Sequence, residues 1–331
     1  MQQDAEEFYS QLLNAAAQEL CDVSALKAAF SQDQDWMGAS NVIDALFGLK
    51  MEQILACDEL PISENEVTEA ATYDLHRKLV CNIQGANEAN VTHISEGIAL
   101  SLSDKVEKYS ETLGRNAMYT RSQKIARLPA VIVVQFGRFY WKATPDSQDH
   151  SGVKCKVMKP VGFSSVLDVY EFCTEKVKSV LKVARDQAAA AEEARIHKKL
   201  KGENHGDMEI DDNEDDETLK AALAMSVEKA QPPVGIGLPN DFQGLYELFA
   251  VVTHKGRDAD GGHYMGWVKA SNTAAVTTEK RQKIADTEEE NEDWYVFDDD
   301  EVSPCKTEDI LKLKGGGDWH MSYLNFYRAK K

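Results

Sequence analysis

The run Ala130-Val-Ile-Val-Val-Gln-Phe136 constrains this chain more than any other segment. Four β-branched residues in succession crowd a helix and suit a pleated strand. So dense an apolar run predicts a buried strand, led in by Arg127-Leu128-Pro129. The molecule is therefore built on a sheet. Apolar residues at helical spacing from Gln3 to Leu20 predict a first helix, and Val166 to Val183 a second. Phe47 to Leu60 reads as a strand pair, while Tyr73 to Ile83 and Ile94 to Leu102 read as strands or extended segments. Strand patterns return at Leu245–Thr253, His263–Lys269, Trp294–Phe297 and Ser322–Arg328. The fold class is α+β.

Composition changes after the second helix. Ala184 to Leu200 is rich in Ala, Lys, Arg and Glu and reads as a helix running on into solvent. Glu203 to Glu217 holds nine acidic residues and is expected to be disordered. Pro232-Pro233 marks the return to folded chain, and Ala270 to Asn291 is a polar connection. The expected organisation is one domain in two parts, 1–185 and 233–331, around a solvated acidic insert at 186–232.

Bulk properties exclude several functions. A formal charge of -19 opposes nucleic acid and suits a basic protein partner. No apolar run approaches the roughly 18 residues of a membrane helix, and the first residues carry no signal-peptide pattern. The expected location is cytoplasm, nucleus or both. The six cysteines, at 21, 57, 81, 155, 173 and 305, include no Cys-x-x-Cys pair. They read as free thiols, with no metal or cofactor expected.

Two short segments carry chemistry. Gly261-Gly-His-Tyr-Met-Gly-Trp-Val-Lys269 and Trp294-Tyr-Val-Phe-Asp-Asp-Asp300 read as consecutive strands. Consecutive strands joined without a helix pair antiparallel. Such pairing sets the start of the first beside the end of the second, and so His263 beside Asp298. A carboxylate on one ring nitrogen leaves the other free to accept a proton. Met265 and Trp267 share the strand face of His263 and are placed to wall a site. Gly261 and Gly262 leave room for a substrate chain. Read without further context, a lone His at a strand start is more often a surface or core histidine than a catalyst, and an Asp triplet after a strand is usually a solvated turn.

Gly-Gly-His-Tyr, then a strand, a loop and Trp-Tyr-Val-Phe-Asp-Asp-Asp-x-Val, resembles the His box of ubiquitin-specific proteases, the papain-like cysteine deubiquitinases. Gln2-Gln3-Asp4-Ala5-Glu6-Glu7-Phe8 looks like that family's Gln-Gln-Asp-Ala-x-Glu-Phe helix. Leu128-Pro129 and Arg138-Phe139 resemble the family's strand with Leu-Pro and Arg-Phe. Gly315-Gly-Gly-Asp-Trp-His320 and Leu167-Asp-Val-Tyr-Glu171 resemble the proteasome-associated branch. These motifs stand in family order from Gln2 to Tyr327.

The resemblance implies a fold of palm sheet, fingers and a remnant of the helical thumb. It implies thiol-dependent cleavage of the isopeptide bond after ubiquitin's last Gly, in proteasomal protein turnover. His263 and Asp298 would complete a Cys-His-Asp triad, with Asp299 a possible alternate orienter. The family's Asn-Thr-Cys box and ubiquitin-like domain precede the Gln-Gln-Asp-Ala helix. The expectation is thus an N-terminally incomplete enzyme, inactive by itself. The alternative is a ubiquitin-binding pseudoprotease. Expected partners are ubiquitin, ubiquitinated proteins and the 26S proteasome.

For ubiquitin's tail, the implied groove lies beside Gly261, Gly262 and Tyr264, with Phe139 and Tyr140 as further contacts and 137–151 and 256–262 as lids. For Phe139 and Tyr140, packing on the core is an equal expectation. Within the insert, Leu219, Ala222, Leu223 and Ser226 follow acids at i, i+3, i+4, i+7. That segment resembles a ubiquitin-interacting motif; an acidic helix that binds nothing fits it equally.

Overall fold

The computed structural model describes residues 4–24, 39–60, 71–83, 90–142, 153–203, 234–239, 241–257, 261–270, 293–317 and 319–330. The first half holds α1 (Ala5–Glu19), α2 (Val42–Phe47), β1 (Leu49–Cys57), β2 (Thr72–His76), β3 (Leu79–Cys81) and α3 (Ile94–Ser101). Then come β4 (Ser103–Ser110), β5 (Arg115–Arg127), β6 (Val131–Phe136), β7 (Phe139–Lys142), β8 (Val153–Lys156), β9 (Val166–Asp168) and α4 (Glu175–Glu203). The second half holds β10 (Leu245–Lys255), β11 (His263–Lys269), β12 (Asp293–Asp298), β13 (Glu301–Lys306), α5 (Thr307–Leu311) and β14 (Met321–Ala329).

An eight-stranded palm sheet runs β13-β12-β11-β10-β14-β6-β3, with β9 also paired to β10. The β-branched run is β6, and both its faces are covered. Ile132, Val134 and Phe136 enter the main core, and Val133 packs under α1 with Tyr9, Leu13, Tyr323 and Leu324. A four-stranded sheet, β2-β1-β5-β4, stands apart, and β7 and β8 form a separate two-stranded ribbon.

Helix α1 starts at Asp4, whose carboxylate accepts the Glu6 amide, with Glu6 and Glu7 in its first turn. An acidic N-cap and acids beside the helix N-terminus satisfy orphan amides and favour the dipole. The same Asp4 oxygen accepts the Tyr323 hydroxyl at 2.7 Å, which ties the helix start to β14.

Three expectations need correction. Phe47–Leu60 is no strand pair: Phe47 ends α2, and β1 pairs with the distant β2 and β5. Ile94–Leu102 is largely the helix α3, with Ile94, Gly97 and Ile98 buried on one face. His93 and Glu96 cap it reciprocally, a signal that outweighs a short, ambiguous apolar run. The segment from Val166 opens as β9, since Leu167 pairs with Tyr246, and becomes α4 only at Glu175. Burial along α4 ends at Ala184, where the helix leaves the core. The hairpin β4–β5 had no sequence forecast, because its alternation is largely polar and exposed.

Arg138 joins β6 to β7 and is fully buried. It donates to the carbonyls of Ser322, Val157, Lys159 and Lys314, at 2.7 to 3.2 Å. One guanidinium thus gathers the ends of β8, α5 and β14. Burial pushes its pKa down to about 10.

Candidate active site

Strands β11 and β12 pair antiparallel, with Gly266 opposite Phe297 and Lys269 opposite Trp294. Extended one step, that register sets Asp298 opposite Met265, on the face that also carries His263. His263 Nε2 and Asp298 Oδ1 are hydrogen-bonded, and both side chains are partly exposed. The strand geometry thus brings together the two residues singled out from sequence. The bond engages Nε2, so Nδ1 is the ring nitrogen left to exchange a proton.

Asp299 follows in the two-residue turn between β12 and β13, at φ 50°. Aspartate tolerates this left-handed conformation better than most residues. Ligating atoms of His263, Asp298 and Asp299 lie within 4.8 Å of one another. A second carboxylate therefore stands in reach of the same imidazole.

Behind His263 lies a residue that the sequence offered only as the last of the Gly315–His320 motif. His320 is buried at 4% exposure, its ring 6.3 Å from that of His263 and 6.5 Å from that of Trp267. Trp267 Nε1 donates to Thr253 Oγ1 at 2.9 Å, and that hydroxyl lies 3.3 Å from His320 Nδ1. Burial first, then the positive charge of Lys255, pushes His320 down to about 4. The imidazole is neutral near pH 7 and adds no charge behind the site. That motif gave no role for the imidazole itself. Trp267, expected as a wall, is itself core.

The residues assigned to the groove separate. Tyr264 projects from the other face of β11. Its hydroxyl accepts the Ala5 amide, and its ring lies 4.7 Å from His254 and 6.1 Å from Tyr323. Burial raises its pKa to about 12. Phe139 joins the same cluster, edge-on to Tyr323 at 5.3 Å and His254 at 5.4 Å. Tyr140 sits opposite Cys155 in the ribbon. Tyr264 and Phe139 therefore share His254 and Tyr323 as neighbours and pack against the cluster under α1.

The two glycines differ. A Cβ on Gly261 would meet nothing within 4 Å, so space is open there. On Gly262, at φ 144°, it would lie 2.3 Å from the Lys255 carbonyl and 2.4 Å from His254 Nε2. The room expected for substrate at Gly262 is taken by β10. Leu219, Ala222, Leu223 and Ser226 lie outside the described residues.

Cys81 and Cys173 are fully buried, and burial pushes each thiol up to about 12. Neither is a thiolate near neutral pH.

A family model, ubiquitin carboxyl-terminal hydrolase, matches residues 1–327. The chain is 33% identical over 332 residues to ubiquitin carboxyl-terminal hydrolase 6 of Arabidopsis thaliana, covering all of this chain and 59% of that protein. It is 30% identical over 341 residues to ubiquitin carboxyl-terminal hydrolase 6 of Schizosaccharomyces pombe, covering 99% and 60%. It thus spans about three-fifths of the length of these relatives. Among solved structures it resembles a chain of the SAGA Ubp8/Sgf11/Sus1/Sgf73 DUB module bound to monoubiquitin. There the TM-score is 0.53 at 18% identity, over 100% of this chain and 49% of that one. The same module bound to ubiquitin aldehyde also gives 0.53 at 18%, over 100% and 50%. The mixed α+β fold is that of those catalytic chains, and the chain belongs to the ubiquitin carboxyl-terminal hydrolase family.

Proposed function

We propose that this chain carries the base and orienting acid of a cysteine-type deubiquitinase. The reaction is hydrolysis of the isopeptide bond after ubiquitin's C-terminal Gly. The observation that carries the reading is the bond from His263 Nε2 to Asp298, which leaves Nδ1 for chemistry. A cysteine thiol gives its proton to Nδ1 and attacks the Gly carbonyl carbon. Asp298 holds the tautomer and stabilises the imidazolium. Collapse of the tetrahedral intermediate passes the Nδ1 proton to the leaving lysine amine and leaves a thioester. Water, deprotonated at Nδ1, then releases ubiquitin and the thiol.

The thiol is expected from an Asn-Thr-Cys box, which surrounds none of the six cysteines here. The second reading is a ubiquitin-binding chain without hydrolysis of its own. Open space at Gly261 suits the glycine-rich tail. The Gly315 to His320 motif supports the proteasome-associated branch, with ubiquitin, its conjugates and the 26S proteasome as partners. Residues 210–230 are proposed to bind ubiquitin weakly.

Titration of isotope-labelled ubiquitin with this chain is expected to shift resonances of the ubiquitin tail. No shift at millimolar protein would defeat both readings. Hydrolysis of a fluorogenic ubiquitin substrate separates them. It is expected only when a chain bearing the Asn-Thr-Cys box precedes Gln2, and its absence there would leave the binding reading alone.

A further inference from the structure

We propose that Lys156 is a positioning residue for His263, acting through His254 and the two glycines that close the neck between β10 and β11. The role assigned to His263 rests on the reading above; the mechanical link does not.

Lys156 ends β8 and is buried at 9% exposure. Its ammonium makes three bonds, all to the end of one strand. They reach His254 Nδ1 at 2.5 Å, the His254 carbonyl at 3.2 Å and the Gly256 carbonyl at 2.7 Å. Those carbonyls stand where β10 runs out, and buried backbone acceptors need partners. The bond to Nδ1 also sets the tautomer of His254: Nδ1 accepts, so the proton sits on Nε2. Burial and the Lys156 charge push His254 down to about 4, in keeping with a neutral ring.

The far edge of that ring touches the next link. His254 Nε2 stands 2.4 Å from where a Cβ on Gly262 would be, and Gly262 Cα 3.2 Å from where one on Gly256 would be. Lys255 pairs with His263 as the last rung of the hairpin. A Cβ at Gly262 would overlap His254 and one at Gly256 would crowd Gly262, so the three are closely packed, and Gly262 is bonded directly to His263. Phe139 packs edge-on to His254 from the ribbon side. A shift of Lys156 cannot be absorbed at the neck, because glycine already fills the closest approach. It passes instead to the backbone of His263. The ribbon β7–β8 and the imidazole move as one body.

Histidine-selective ¹⁵N labelling of the full chain reads this directly. The Nε2 proton shared with Asp298 should resonate far downfield and be assignable by its loss in Asp298→Asn. In Lys156→Met, similar in size but without donors, its exchange with solvent should quicken at least tenfold. The amides of residues 262–264 should lose protection in parallel, while those of β6 keep theirs. Lys156→Arg, which retains donors, should recover part of the protection. Should Lys156→Met fail to fold, His254→Phe keeps a ring against Gly262, removes the acceptor, and should reproduce the loss. Wild-type protection in either folded variant would overturn the proposal. Because ubiquitin takes no part, this outcome is independent of whether the chain binds or cleaves it.

Discussion

At His263 the bond to Asp298 decides the chemistry available, because it uses Nε2 and presents Nδ1. Asp298→Asn keeps the shape but not the charge that holds the imidazolium. In a form joined to an Asn-Thr-Cys box and assayed on a fluorogenic ubiquitin substrate, kcat should fall by about 10³ to 10⁴, with the fold unchanged by circular dichroism. Asp299 stands close enough to take part of that load, so the double variant with Asp299→Asn should lose more than Asp298→Asn alone. Equal rates would show Asp299 to be a bystander. Gly262 is held by sterics rather than by substrate. Gly262→Ala should cost about 1–3 kcal/mol of unfolding free energy, from overlap with β10 and an unfavourable φ. An unchanged denaturant midpoint would refute that. His254 and His320 are both pushed from 6.5 to about 4 by burial. Between those values the unfolded chain binds protons that the folded chain refuses. Stability is then full above about pH 6.5 and declines as pH falls towards 4. Urea midpoints at pH 7 and pH 5 should differ in that direction.

Among elements, α1 and the Arg138 junction set how the site is framed. Asp4 serves two elements through one oxygen, capping α1 and accepting Tyr323 of β14. Asp4→Ala should therefore cost about 1–2 kcal/mol, a cap and a charge-assisted bond together. Tyr323→Phe, which leaves the cap, should cost less in the same thermal melt. Arg138 was legible in sequence only as half of an Arg-Phe motif, with no reason attached. Its reason is the set of carbonyls it satisfies at the ends of three elements. Helix α3 shows where local patterns fail. Ile94 to Leu102 is too short for periodicity to separate strand from helix, and the reciprocal cap of His93 and Glu96 decides.

Across the whole molecule, the palm sheet interleaves the two halves of the chain. β10 pairs with β9 from before residue 186 and with β14 from the end, and β14 in turn pairs with β6. A protease site placed between residues 204 and 233 should therefore cut the backbone without separating the pieces. The two fragments should co-elute as one species on size exclusion and part only in denaturant. Separation under native conditions would show that the halves fold apart.

Read alone, the sequence determined the buried strand β6, the strands β10, β11, β12 and β14, the first helix, and the convergence of His263 on Asp298. Each follows from local chemistry: β-branched density, alternation, helical spacing, and the geometry of consecutive antiparallel strands. Tertiary structure alone decided what each face of β11 meets. It sent Tyr264 and Phe139 beneath α1, filled the space at Gly262 with His254, and set His320 and Lys156 behind the site. These placements join residues on different strands, most of them distant in the chain, and no local pattern carries them. They arise because buried rings, carbonyls and cations must find partners wherever the packed sheet brings one within reach.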